Sequence, residues 1–240
     1  MIRRPEDIEQ IVNEVGFLPF FMGEIDGFSI EEHVDRRYWF PDNSIEGVWE
    51  WKGQVILEGD CAYGKFYRNK ACYISMEWFP DFINYRRSLY QPTTDEQLIL
   101  QTLKEHESLI SKELKRLCGY VKRRQPKMIH IDRLLVSEAK EVTKLQAKVT
   151  TKQKRESFDT AITRLQMGGQ ILIADFEYLY DKQGKRYGWG LARYCTPEDF
   201  FGVERFQIDR TPEESKQRIV NHLKKLLPYA TEKQIQRIIG

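Results

Sequence analysis

Apolar residues recur at helical spacing in some stretches of the chain and alternate in others. In PEDIEQIVNEVG, Ile8, Ile11, Val12 and Val15 share one helical face, Glu6 and Asp7 favour the N-terminus, and Gly16 stops the helix. FLPFF and GEIDGFSIEEH follow neither period and read as irregular. An aromatic-dense block runs from Tyr38 to Tyr90. Inside it, CAYGKFYRNKACYISM alternates on both sides of Arg68-Asn69-Lys70, which predicts a β-hairpin. WFPDFINYRR predicts a short helix with Pro80 in its first turn, and WEWKGQVIL fits helix and strand equally.

Gln91-Pro92-Thr93-Thr94 is the clearest boundary. Thr93 or Thr94 can cap a helix opened by Asp95 and Glu96, with Ile99, Leu100 and Leu103 inward. A second helix starts near Ser111, turns Leu114 and Leu117 inward and stops at Gly119. The two, joined tightly, read as the opening of a helix-turn-helix. From Val121 to Ser157 there is no Phe, Trp or Tyr. Leu135, Val142 and Val149 recur every seventh residue there, with Leu145 beside them, which predicts a basic amphipathic helix inserted into the unit. ESFDTAITRLQMGG predicts a third helix. Phe158, Ile162 and Leu165 face inward, while Asp159, Thr160, Thr163, Arg164 and Gln166 face outward. QILIADFEY and WGLARYCTP alternate around a turn centred on Gly184, and TPEESKQRIVNHLKKLLPYATEKQIQRIIG predicts two helices broken at Pro228. The predicted class is α+β. A small aromatic-rich α+β domain spans 1–91. A winged helix-turn-helix spans 92–204, with a basic insertion at about 122–155, and C-terminal helices span 205–240.

Composition changes this picture through charge. The 240 residues carry a net +2. Residues 1–111 hold 11 Lys/Arg against 20 Asp/Glu, residues 112–155 hold 14 against 4, and residues 156–240 hold 13 against 12. A net −9 thus precedes a net +10, and the basic block falls between the second and third predicted helices. No apolar run approaches the roughly 20 residues that span a bilayer, and MIRRPEDIEQ lacks the apolar core of a signal peptide. Cys61, Cys72, Cys118 and Cys195 form no CxxC pair. A reduced, cytoplasmic protein without membrane attachment is expected.

Candidate chemistry follows the charge. A third helix with short polar side chains and one arginine outward can enter a major groove, through Thr160, Thr163, Arg164 and Gln166. Lys112, Lys115 and Arg116 on the second helix, Lys122, Arg123, Arg124 and Lys127 in KRRQPK, and Lys182, Lys185 and Arg186 at the hairpin tip are placed for phosphates. DNA is the expected partner. The plainer alternatives are that winged helices also bind proteins and that basic helix faces are often only solvated. A related alternative sets the acidic first half against the basic middle. His33, His106, His130 and His222 sit at no metal-ligand spacing. Gly188-Trp189-Gly190 lacks a third glycine, and neither a Walker motif nor GxSxG is present. No metal and no nucleotide cofactor are expected. Trp49-Glu50-Trp51 places a carboxylate between two rings, as in sites that handle bases, although such tryptophans more simply fill a core. Glu50 is therefore a candidate acid or base. Arg86 and Arg87 fit phosphate binding and capping of their own helix equally.

The ordered motifs GFLPFFMGEIDGFSIEEH, VWEWKG, AYGKFYRNKACYIS, FINYRR, LQMGGQILIADFEY and YGWGLARYCTPEDFFG resemble the AlkZ-related family of bacterial proteins. The resemblance covers most of the chain except 122–155. It implies a distant relation to AlkZ/YcaQ-type winged-helix DNA glycosylases, which remove alkylated bases and unhook crosslinks, and so implies DNA repair. Those enzymes carry Gln-x-Gln or Gln-x-Asp to position the attacking water. The nearest text here, Gln166-Met167-Gly168-Gly169-Gln170, sets the second Gln four positions on rather than two. Gln166 is thus a catalytic candidate only through that partial match, beside its readings as a groove reader or a cap of its own helix. Three functions stand side by side: a DNA-binding protein without catalysis, an AlkZ-like glycosylase, and a protein-interaction module.

Overall fold

The structure, a computed structural model, describes residues 1–41, 45–121, 155–184 and 186–240. Helix α1 (Pro5–Val15) buries Ile8 and Val12 and ends at Gly16, whose φ is +78°. Gly16 is required twice over, because a Cβ there would lie 2.5 Å from Trp78 Cδ1. The FLPFF stretch, expected to be irregular, contains strand β1 (Phe17–Pro19). Its three residues are all buried, so they show no alternation. Short helices α2 (Ile30–His33) and α3 (Arg36–Trp39) follow. The two-way segment is helix α4 (Val48–Glu58), with Val48, Trp51 and Val55 buried at i, i+3 and i+7.

Strands β2 (Cys61–Tyr67) and β3 (Lys70–Ser75) form the predicted hairpin. Tyr67 pairs with Lys70, so Arg68 and Asn69 alone make the turn, at φ +50° and +61°. Positive φ at both central positions matches the right-handed strand twist. β1 adds to β3, giving an antiparallel sheet of order β1-β3-β2. Helix α5 (Phe79–Leu89) then leads into the 91–93 loop.

Helix α6 (Thr94–His106) is capped by Thr93, whose Oγ1 takes the Glu96 N–H while Glu96 takes the Thr93 N–H. Strand β4 (Ser108–Ile110) lies between α6 and α7 (Ser111–Leu117), where a bare turn was expected. Helix α8 (Phe158–Met167), strand β5 (Leu172–Tyr180) and strand β6 (Arg186–Cys195) follow. The second antiparallel sheet has the order β4-β6-β5. After helix α9 (Pro197–Phe201) and a 3-10 turn (Val203–Phe206) come α10 (Pro212–Leu226) and α11 (Glu232–Ile239), broken around Pro228 as expected. The basic helix expected over the insertion lies largely outside the described residues.

Two apolar clusters hold these elements, and both cross the loop at 91–93. One joins Val12, Trp51 and Tyr73 to Ile99, Leu114, Ile162 and Tyr194. The other joins Phe66, Phe79 and Phe82 to Leu172, Ile219 and Ile238. The start of β5 divides them: Ile171 and Ile173 face the first and Leu172 and Ala174 the second, as a two-residue period dictates. The segments expected as separate domains therefore share their cores. The protein is mixed α/β, with two small antiparallel sheets among the described residues.

Candidate nucleic-acid interface

The expected DNA-facing residues fall into three groups. On α7, Lys112 and Arg116 are exposed, and Lys115 is half-buried with its ammonium 5.6 Å from the Phe158 ring centroid. At the hairpin tip Lys182 is exposed, in a turn where Asp181 Oδ1 accepts the Gln183 N–H at 2.9 Å and Gly184 takes φ +78°. Arg186 opens β6, paired with Tyr180. Lys122, Arg123, Arg124, Lys127 and Lys185 lie outside the described residues.

The third group, on α8, departs from expectation. Phe158, Ile162 and Leu165 point inward as predicted, but β2 packs on the other flank of the helix. Gln166 is completely buried. Its Oε1 accepts the Lys65 backbone N–H at 2.9 Å, and its Nε2 donates to the Ile162 carbonyl at 3.2 Å. Thr163 receives the Lys65 ammonium at 3.2 Å and donates to the Asp159 carbonyl at 2.8 Å. The outward placement of Gln166 is thus corrected: it pins α8 to a strand 101 residues away, and neither end of its amide is left to hold a base or a water.

Arg164 is paired rather than free. Its guanidinium lies 2.8 Å from Glu156 and 3.3 Å from Glu96 Oε1, and it stands 5.8 Å over the Tyr90 ring. Glu96 is fully buried; its Oε2 is held by the Thr93 N–H, while Oε1 meets Arg164 as an ion pair without hydrogen-bond alignment. Partial burial works against the Arg164 charge, but Glu96 and then Tyr90 outweigh it and raise the pKa. On α8 only Asp159 and Thr160 are exposed, both in the first turn.

The hairpin is braced from below. The Tyr178 hydroxyl reaches the Trp49 carbonyl at 3.4 Å, and the Lys52 ammonium lies 4.0 Å from the Phe176 ring centroid. Arg193 on β6 pairs with Glu177 on β5 and donates to the Ser108 carbonyl and hydroxyl on β4, at 3.3 and 3.1 Å. Glu50 lies beside this brace. Its carboxylate accepts the Gly47 N–H at 3.1 Å, which caps α4. Trp49 and Trp51 do not flank it as a cleft. Trp49 joins a cluster with Phe20, Phe21 and Trp39, and Trp51 is buried against Tyr38.

The arginine pair at the end of α5 caps other segments. Buried Arg86 donates to the carbonyls of Phe66 (3.2 Å), Met167 (2.9 Å), Ile238 (3.2 Å) and Ile239. Two of its three partner segments are helix C-termini, whose carbonyl dipoles favour a cation. Burial pulls its pKa down to about 10, so it stays charged at neutral pH. Arg87 donates to the Gly169 carbonyl at 3.0 Å and grips Glu198 through both terminal nitrogens. Neither is turned to a phosphate.

Sequence reasoning passed over two groups. Lys65 covers the α8 flank, and nothing in the hairpin pattern marks it. Asp81 is fully buried and holds Arg210 (2.7 Å), Ser215 (2.7 Å) and Arg218 (2.5 Å), which lock α10 onto α5. The Thr93-x-x-Glu96 spacing is a capping-box signature, although it does not reveal the burial of Glu96. Among the described residues no cluster of His, Cys, Asp and Glu has the makings of a metal site, and no helix is long and apolar enough to cross a membrane.

These features define a mixed α/β protein in which a helix-strand-helix-helix-hairpin unit carries exposed cations on α7 and at the hairpin turn. The chain belongs to the AlkZ-related family, whose model matches residues 2–240. No curated protein and no solved structure matches it.

Proposed function

We propose that the protein binds duplex DNA through a winged helix-turn-helix made of α6, α7, α8 and the β5–β6 hairpin. The observation that carries this reading is the element order α6-β4-α7-α8-β5-β6, with β6 central in its sheet. Among the described residues three helices thus precede a β-hairpin, the order a winged helix-turn-helix would have. Lys112, Arg116 and Lys182 are exposed on it and suit phosphates. Membership of the AlkZ-related family supports a DNA-related role, and repair is its natural setting. Base excision is not part of the proposal, because Glu50 caps α4 and both ends of the Gln166 amide hold backbone. The cytoplasm is the proposed compartment, since Cys61, Cys72, Cys118 and Cys195 are buried and unpaired.

The test is fluorescence anisotropy of the full chain with a labelled duplex across a salt series. Binding that weakens steeply with salt is expected. The Lys112→Ala/Arg116→Ala double variant should lower the log–log salt slope by about 2, near 0.9 for each lost phosphate contact. No binding at low salt overturns the reading, and a stable oligomer beside that result favours a protein-interaction module.

A further inference from the structure

We infer that helix α8 leaves the base sequence unread and that the described residues of the unit grip duplex DNA by its phosphates alone. This rests on the DNA-binding reading above. Direct readout by a helix needs exposed side chains that are free to meet base edges. The outer face of α8 does not meet that condition. Gln166, the side chain best suited to an adenine edge, is buried with its carbonyl on Lys65 N and its amide on Ile162 O. Thr163 is engaged by the Lys65 ammonium. Arg164, the side chain suited to guanine, is held between Glu156 and the buried Glu96. Releasing it would leave a buried carboxylate unpaired, which is far more costly than forming one base contact.

The two exposed positions of α8, Asp159 and Thr160, lie in the first turn. Asp159 carries the same charge as the phosphates, and the Thr160 hydroxyl is 2.7 Å from Ser157 Oγ. The exposed cations lie elsewhere, on α7 and the hairpin turn, where a long ammonium or guanidinium meets any sequence equally.

The test is selection from a random-sequence duplex pool by the full chain at low salt, followed by measured affinities for recovered and unselected duplexes. The expected result is no consensus, with all duplexes within about threefold of one another, because one good base contact separates right from wrong by about 5- to 150-fold. Thr160→Ala and Arg164→Ala should leave that flat ranking unchanged. Thr160→Ala keeps the readout valid where loss of Arg164 disturbs folding. Lys112→Ala/Arg116→Ala should weaken every duplex by the same factor. A consensus preferred by more than about tenfold overturns this inference while the DNA-binding reading stands. If no duplex binds, the reading falls and the inference falls with it.

Discussion

Helices α7 and α8 belong to one unit, and each buries a leucine, Leu114 or Leu165, and turns polar or basic side chains away from the core, although Leu117, expected inward, is exposed. On α7 the outward side chains Lys112 and Arg116 meet solvent. On α8 the corresponding side chains meet protein: Gln166 and Thr163 meet β2, and Arg164 meets Glu96 and Glu156. The difference lies in what the rest of the chain lays over each helix. A polar stripe marks the side turned from the first core. It does not say whether a second layer covers that side.

The largest effect that would sharpen this contrast is expected at the end of α8. Arg86→Ala removes the cation shared by four carbonyls and should destabilise the fold by about 3–5 kcal/mol in denaturant unfolding. A change below about 1 kcal/mol would mean those carbonyls find other donors. Gln166→Ala comes next, at about 1–3 kcal/mol, because the half-buried Lys65 N–H is left without an acceptor. Lys112→Ala/Arg116→Ala should stay within about 0.5 kcal/mol of the parent. Equal losses from Gln166→Ala and that double variant would erase the contrast between the helices.

The smallest effect concerns acid. Burial raises the Glu198 pKa, but the hydrogen bonds and charge of Arg87 outweigh it, and the net shift is downward. A carboxylate with a depressed folded pKa adds stability above its unfolded pKa, and that stability is lost as pH falls through the folded value. Arg87→Gln should therefore flatten the fall in stability below about pH 4.3, the ordinary glutamate value. Urea titrations over that range would show it, and an unchanged acid limb would assign the loss to other carboxylates.

Much of the fold was legible. Periodicity placed α1, α5, α6, α7, α8, α10 and α11, and turn chemistry placed both hairpins. Strands β1 and β4 escaped because three residues show no period, and each is extended only through its long-range partner, β3 or β6. α4 stayed two-way because Trp49 and Trp51 alternate while Val48, Trp51 and Val55 also share a helical face. The expected split at residue 91 followed a real loop, but the sequence carries no sign that the cores cross it. Exposure was legible where it is local, as at Lys112 and Lys182. It was not legible at Gln166, whose fate depends on Lys65. The Arg86-Arg87 pair was correctly seen as a possible cap, but for the wrong helix.

Arg86 also carries a kinetic consequence. Its guanidinium joins carbonyls 20, 81, 152 and 153 residues away along the chain. Contacts of such separation close large loops, and they assemble only after the local helices and hairpins exist. The cluster should therefore be absent from the folding transition state. Its loss would then speed unfolding and leave the refolding rate nearly unchanged, a pattern a chevron plot of Arg86→Ala resolves directly. One side chain would thus act as a clasp that sets how long the finished molecule stays closed, with little part in how quickly it forms.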